Sequence, residues 1–572
     1  MMAKRSPVNL SEMLLSLSNV TIARDAFGFV GEISGLRHGM EQVHKEIDSV
    51  LNEIIEEHEG KKLDGDDMNE DLVDVLLRIK RNGEMDLSLM MENVKVVILV
   101  INKTSNPRKI PPGPWKLPII GNLHQLLGEH PHRRLQNLAK TYGPLLHLKL
   151  GEINLIVITS TEFVRDIFKT HDLKFASRPK LMAGKIIFYN NTDIGLAPYG
   201  KTWSKLRKIC TIELFSLKRV MSFKFIREEE GNNLVEKIMI AKRSPVNLSE
   251  MLLSLSNVTI ARAAFGKGSA QQKRFLLAMK KTLEYLSGFN LVDMFPSWSF
   301  VGEISGLRNG MEQIHKEMDC VLNEIIEEHE GKKLDREDMN EDLVDVLLRI
   351  KRNGEMDLSL MMENVKAVIL DLFLAGSDTT SATIVWAMTE LIRHPKVMQK
   401  AQLEVRKVLN GKRIVEEGDI SKLPYLNKVI KETLRLHPVA PLLVPRLCRE
   451  TVELAGFTIP VESRVVINAW AMMRDPKYWE DPEIFRPERF EEKKIDFGLE
   501  NFQYVPFGGG RRICPGVSFA LASMELWLAQ LLFYFNWELP EGRSPQELDV
   551  EEAFGITLTR KNDLCLVATY HE

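Results

Sequence analysis

Chemistry concentrates in one short segment, PFGGGRRICPG, from Pro506 to Gly516, where Phe507, Gly510, Arg512, Cys514 and Gly516 fall in the spacing FxxGxRxCxG. Each residue alone says little, but the set is highly specific. Closely spaced glycines let a chain turn tightly enough to aim backbone N–H groups at one side chain. A cysteine sulfur held among such donors is suited to bind haem iron axially as a thiolate. Arg512 is placed to answer a haem propionate, because guanidinium forks pair with carboxylates through charge-assisted hydrogen bonds. Pro515 and Gly516 then open a helix beneath the ring. A lone cysteine is more often a buried structural residue; the surrounding pattern separates the two readings.

Beyond this loop, the chain resembles the cytochrome P450 family nearly continuously from Pro111 to the C-terminus. The wording of PPGPWKLPIIGN (Pro111–Asn122) and FGGGRRICPG is most similar to the plant A-type members, which oxidise terpenoids, alkaloids and phenylpropanoids. Within KETLRL, Glu432 and Arg435 match the family's ExxR pair, and Arg489 in PERF matches the partner that completes its buried charge triad. A plain i, i+3 surface pair contributes only about 0.2 to 0.5 kcal/mol. The resemblance moves this one inward, where charges must all be paired and where they lock geometry more than they add stability.

AGSDTT, Ala375 to Thr380, matches the family's oxygen-activation groove. The resemblance implies that Thr379 turns its hydroxyl towards dioxygen or water, that Asp378 feeds protons towards it, and that Gly376 lets a flat cofactor approach. The alternative is a mid-helix threonine that merely bends its helix. Trp203 and Arg207 in WSKLRK, and Arg446 in VPRLCRE, resemble family positions that hold haem propionates, although a Trp and an Arg at i, i+4 also form ordinary surface stacks.

The resemblance thus implies haem b, with Cys514 as the metal ligand, and insertion of one oxygen atom from O2 into a hydrophobic small molecule. The pocket it implies draws on Phe188, Leu374, Ala375, Ala440, Val444 and Ile556, residues that would serve equally as ordinary core. No flavin- or dinucleotide-binding segment is evident. The implied electron donor is therefore an NADPH-cytochrome P450 reductase, and the implied location is the cytosolic face of the endoplasmic reticulum membrane. Two other readings stand beside the monooxygenase. A haem-thiolate isomerase or dehydratase would need no reductase, and the intact AGSDTT argues against it. An inactive fusion product would take up no haem.

The elements that must position these residues are mainly helical. Glu312–His329, Met361–His394 and Ser518–Phe535 are long enough to be real helices. LLHLKLG (Leu145–Gly151) and NLIVIT (Asn154–Thr159) read as a hairpin turning at Gly151–Ile153, and Phe457–Ile467 reads as further short strand. The expected class is mainly α with a small β part, a haem-binding helical domain with short sheets.

Composition agrees with a folded globular chain: 44% of the 572 residues are hydrophobic, and 76 Lys+Arg against 79 Asp+Glu leave a net charge of −3. No Lys/Arg surplus of the kind that neutralises phosphates is present, which argues against nucleic acid as a partner. The five cysteines include no CxxC pair, so neither a disulfide framework nor a structural zinc site is indicated.

The N-terminus departs from the family. Residues 3–28 recur at 241–266 with only Asp25 against Ala263 changed, and residues 29–99 recur at 300–370. The first copy lacks the equivalent of 267–299 and breaks off at Leu99, before any chemistry. Two near-identical copies of an incomplete unit are a partial duplication rather than a solenoid. Residues 1–105 are therefore expected to be poorly packed and non-catalytic, with 106–572 forming the enzyme domain. Charges such as Lys4, Arg24 and Glu32 interrupt residues 1–60, and the apolar run Val96–Ile101 is far short of the roughly 18 residues that cross a bilayer, so no N-terminal anchor is recognisable.

Overall fold

The computed structural model describes residues 109–571, apart from parts of 267–304, residues 332–340 and 354–359, and a few single positions. The duplicated segment lies outside the described residues. Lys109–Glu572 forms one compact unit.

Helix dominates that unit, as the periodicity predicts. In chain order the longer helices are α1 (Pro131–Tyr142), α2 (Lys201–Ile209), α3 (Lys224–Ile240), α4 (Leu248–Phe265) and α5 (Leu307–Glu330). After them come α6 (Leu343–Asn353), α7 (Met362–Arg393), α8 (Pro395–Val408), α9 (Pro424–Leu436) and α10 (Val517–Tyr534). Their ends follow local chemistry. Asn247 caps α4 by accepting the Glu250 N–H at 3.1 Å. Prolines in the first turns of α8 and α9 fix φ where the N–H has no helical partner anyway. The expected helix at Ser518–Phe535 is displaced by one residue, because Phe535 is already extended as the first residue of a strand.

α7 is the central helix, and it is buried almost all round, from Asn364 to Ile392. Residues such as Ile384, Met388 and Leu391 pack into a core shared with α8, α9 and α10, while Val365, Ile369 and Phe373 pack into a second core with α4, α5 and α6. Among the described residues, α7 and α10 are long and apolar enough to cross a membrane, but 72% and 56% of their most apolar windows are buried in the protein. A helix hydrophobic on every side is what a core position requires.

The β part is small. β1 (Leu145–Leu150) and β2 (Ile153–Ile158) form the expected hairpin, in register from Leu145↔Ile158 to Leu150↔Ile153. Ile153 is thus in the strand, and the turn is Gly151–Glu152 with Gly151 at φ 58°. β3 (Pro245–Asn247) comes next, followed by β4 (Arg446–Leu447), β5 (Val452–Leu454), β6 (Phe457–Ile459) and β7 (Arg464–Ile467). The stretch read as one strand, Phe457–Ile467, is divided between β6 and β7. The first sheet runs β1-β2-β7-β4, which places Arg446 opposite Val465. β11 (Cys565–Tyr570) pairs with β3 on one side and with β8 (Phe535–Glu538) on the other, and β9 (Glu552–Ala553) pairs with β10 (Thr559–Arg560).

Candidate active site

The cysteine loop precedes α10 and is shaped by its glycines. Gly508 and Gly510 adopt φ 70° and 62°, where a side chain is strained. A Cβ on Gly510 would also stand 2.2 Å from Asp172 Oδ1, and one on Gly509 would stand 2.3 Å from the Phe168 ring. The Cys514 N–H donates to the Phe507 carbonyl at 3.0 Å, and the Gly516 N–H donates to the Cys514 sulfur. Phe507 itself meets Phe497 edge to face at 5.1 Å. Burial pushes the Cys514 thiol up, while the Gly516 N–H and the nearby Arg207 pull it down. Gly516 is the N-cap of α10, as the sequence suggests.

Around this loop, four guanidinium groups gather from four separate segments. Arg512 donates to the Ala176, Ile194 and Ala197 carbonyls at 2.6, 3.2 and 2.5 Å, and stacks 3.9 Å over the Trp203 ring. Trp203 donates its indole N–H to the same Ile194 carbonyl at 3.0 Å. Arg207, one turn further along α2, donates to the Ile513 carbonyl beside Cys514. Arg446, on β4, donates to the Gly509 carbonyl at 2.6 Å and lies 3.5 Å from Asp172.

The fourth is Arg178, which the sequence reading missed. It donates to the carbonyls of Gly195, Val444 and Pro445 at 3.1, 2.5 and 2.9 Å. Its position in FASRPK carries no periodic or spacing signal, so only the fold could reveal it.

Burial, followed by Arg512 and Arg446, holds Arg178 well below its usual range. Burial and then Arg446 hold Arg512 down to about 9, and burial lowers Arg446 to about 10. The carboxyls facing them are Asp172, paired with Arg446 and Arg511, Asp193, and Asp371, which burial raises well above the ordinary range. Even with Asp172 and Asp193 both charged, the four guanidinium groups, with Arg511 beside them, outnumber the anions, and their donors are bonded largely to backbone carbonyls. A ring bearing two carboxylates above a cysteine sulfur would balance it. The residues present therefore fit haem b.

Behind the loop, Glu432, Arg435 and Arg489 form the expected triad, all buried. Arg435 donates through Nε and Nη2 to the two Glu432 oxygens at 2.8 and 2.9 Å, and Arg489 Nε donates to Glu432 Oε1 at 2.9 Å.

On α7, Ala375 is exposed although it lies mid-helix in the core, so this stretch faces open space. The Thr379 hydroxyl donates to the Ala375 carbonyl at 2.7 Å, the back-bond of the plainer alternative; it can still accept from a ligand, and must leave that bond only to donate to one. Burial raises the Asp378 carboxyl above the ordinary range. A Cβ on Gly376 would point at α4, 2.2 Å from the terminal methyl of Ile260.

Of the pocket residues, Val444 and Ile556 expose 47% and 40% of their surface. The Leu558 N–H donates to the Val439 carbonyl at 2.8 Å, which brings the Ile556 segment beside Ala440. Leu374 is partly buried against the second core. Phe188 corrects an expectation: it is fully buried in that core and presents no surface to a ligand.

Residues 111–567 match the family model for cytochrome P450, and with the helical fold and the cysteine loop they define the chain as a member of that family, a haem-thiolate monooxygenase. Within the family it belongs with the plant A-type enzymes. It is 47% identical over 476 residues to the premnaspirodiene oxygenase of Hyoscyamus muticus (82% of this chain, 95% of the relative). It is 48% identical over 460 residues to a germacrene A hydroxylase of Tanacetum parthenium (80% and 93%). A desmethyl-deoxy-podophyllotoxin synthase of Sinopodophyllum hexandrum is 47% identical over 496 residues (84% and 97%). Among solved structures, a zebra fish cytochrome P450 with progesterone superposes with a TM-score of 0.66 at 26% identity, covering 77% of this chain and 99% of that one. Haem b with an axial cysteine thiolate is the cofactor of this family.

Proposed function

We propose that this monooxygenase inserts one oxygen atom of O2 into a hydrophobic terpenoid, with Cys514 as the iron ligand and an NADPH-cytochrome P450 reductase as electron donor. The observation that carries the reading is the Cys514 sulfur, held by the Gly516 N–H beside a four-guanidinium cluster that lacks counter-charge. Haem bound through a thiolate supplies the activation of oxygen. The chain's own residues do the rest. Trp203, Arg178, Arg207, Arg446 and Arg512 orient the propionates, and Val444, Ala440, Leu374 and Ile556 offer an apolar surface that excludes water. Asp378 holds a proton that Thr379, released from Ala375, passes on. The names of the germacrene A hydroxylase and the premnaspirodiene oxygenase support a sesquiterpene-like substrate.

The test is incubation of the membrane-reconstituted protein with reductase, NADPH and a panel of sesquiterpene hydrocarbons, phenylpropanoids and alkaloids. An NADPH- and O2-dependent hydroxylated terpenoid is the expected product. Turnover confined to the other classes, or product without reductase, would overturn the reading.

Thr379→Ala tests the proton path. It removes only a hydroxyl whose present bond is to its own helix, so haem content and the thiolate spectrum stay unchanged. Product formed per O2 consumed falls about tenfold or more, the scale of a lost acid–base group. Equal coupling in the variant would remove Thr379 from the path.

The enzyme domain is proposed to work without residues 1–105, because the duplicate ends before Asp378, Thr379 and the cysteine loop. A chain beginning at Lys109 should take up haem and give the same reduced carbon monoxide spectrum as the full chain, while limited proteolysis removes the first hundred or so residues first. Protection of that segment equal to that of the enzyme domain would contradict this. The cytosolic face of the endoplasmic reticulum is the proposed location, on the strength of the family resemblance.

A further inference from the structure

The loop from Asp193 to Ala197 lies between the arginine cluster and α7, and its backbone is used in both directions. Its carbonyls face the cluster: Ile194 accepts from Trp203 and Arg512, Gly195 from Arg178, and Ala197 from Arg512. Its N–H groups face the carboxyls. Those of Ile194 and Gly195 both donate to Asp371 Oδ2, at 2.7 and 3.2 Å, and that of Leu196 donates to Asp193 Oδ2 at 2.6 Å. Asp371 belongs to α7, two turns before Asp378, and is an acid inside the otherwise apolar run Val368–Leu374. The two carboxyls converge, since a Cβ on Gly195 would stand 3.0 Å from Asp371 Oδ1 and 3.5 Å from Asp193 Oδ2. Asp193 Oδ1 is buried with no other hydrogen-bond partner, and a proton carried by Asp371 is the donor it lacks.

We propose that Asp371 is a positioning residue for the haem: as a carboxylic acid that bridges α7 to Asp193 it fixes the 193–197 loop, whose carbonyls aim Trp203, Arg512 and Arg178 at the propionates. This rests on the haem-binding reading above, whose failure would appear as a missing Soret band in the unaltered chain, before any variant is compared.

Two buried carboxylates this close cannot both ionise cheaply. Burial and then the charge of Asp193 raise Asp371 well above the ordinary range, and burial raises Asp193 while the Leu196 N–H draws it back. The proton therefore resides on Asp371. A carboxyl raised on folding holds its proton in the attached loop and loses it in the released one. Attachment is full at low pH and is lost as pH rises through the pair's folded titration. The groups that face the pair are Arg207 and Cys210 from the α2 region, Arg512 from the cysteine loop and Arg178 from the segment before α2. Arg512, held down to about 9, also loses charge as pH rises, so the variants must separate the two effects.

The experiment follows haem transfer from the full-length holoprotein to excess apomyoglobin by Soret absorbance, from neutral to alkaline pH, with hydrogen exchange of the 193–197 amides alongside. Asp371→Ala strands two buried N–H donors, and should speed transfer about tenfold or more while deprotecting those amides. Asp371→Asn keeps an acceptor for both N–H groups and donates an amide hydrogen to Asp193. It should match the unaltered protein at neutral pH and lack the carboxyl pair's share of the alkaline acceleration. The proposal is overturned if the Ala variant keeps the original transfer rate and amide protection. It is equally overturned if the Asn variant accelerates with pH as the unaltered chain does, or loses haem at neutral pH as the Ala variant does.

Discussion

Replacing Cys514 with serine abolishes the red-shifted thiolate Soret band of the reduced, carbon monoxide-treated protein, while replacing Cys448 leaves it intact. The contrast follows from where the five cysteines lie. Cys210 and Cys448 are buried, and burial pushes their thiols up to about 12 and about 11, so they remain inert thiols. Cys320 and Cys565 are exposed on α5 and β11. Cys514 alone stands in a loop whose glycines turn a backbone N–H onto the sulfur, with Arg207 beside it. A serine hydroxyl retains the loop's packing but cannot give the soft, charged sulfur that sets the thiolate spectrum. The measurement is the carbon monoxide difference spectrum of equal amounts of folded protein, with secondary structure checked by circular dichroism. A persistent thiolate band in Cys514→Ser would reassign the ligand, and loss of the band in Cys448→Ser would mean that the cysteine core, rather than ligation, controls it.

The parts of this site legible in the sequence are those confined to one segment. The cysteine loop could be read because FxxGxRxCxG places its glycines, arginine and cysteine within one turn-rich stretch, and Gly508 and Gly510 take the left-handed conformations that such a loop requires. Of the three helices read from periodicity, Met361–His394 and Ser518–Phe535 were placed to within one residue and Glu312–His329 began five residues late, and the class, mainly α with small sheets, followed from them. What escaped depends on contacts between distant segments. Arg178 joins the cluster through carbonyls at Val444 and Pro445, a meeting that no local pattern announces. Nor does the sequence show that Gly376 faces Ile260 of α4. Phe188 is apolar in the way both a pocket wall and a core residue are, and only its complete burial distinguishes them. Asp371 did leave a trace, a lone acid in an apolar helical run. A buried charge of that kind must be neutralised or bonded, but the sequence does not say by what.

Glu432→Ala should be the most damaging change outside the cysteine loop, for a reason of charge rather than volume. The Glu432 carboxylate is fully buried and accepts from Arg435 twice, from Arg489, and from the Arg486 backbone N–H at 2.8 Å. Removing it leaves two guanidinium groups buried without a counter-ion, a situation that costs about 3 to 5 kcal/mol, against a total stability of roughly 5 to 15 kcal/mol for an ordinary domain. The loss also travels. Arg435 and Arg489 hold the carbonyls of Met473, Glu480, Asp481 and Ile484, and the Tyr504 hydroxyl ties the start of the cysteine loop to the Lys431 carbonyl of α9 at 3.0 Å. Freed arginines therefore loosen α9, the 473–490 segment and the approach to Cys514 together. Glu432→Ala should yield little haem-loaded protein, and what forms should release haem many-fold faster on warming. Glu432→Gln keeps the hydrogen-bond acceptor but not the charge, so it should fall between the two. Haem per folded chain and the temperature of half haem loss are the quantities to measure, because a unit of this size does not unfold in one step. Were Glu432→Ala to match the unaltered protein in both, the triad would be a bystander, and the geometry of the cysteine loop would have to rest on its glycines and on Phe507 alone.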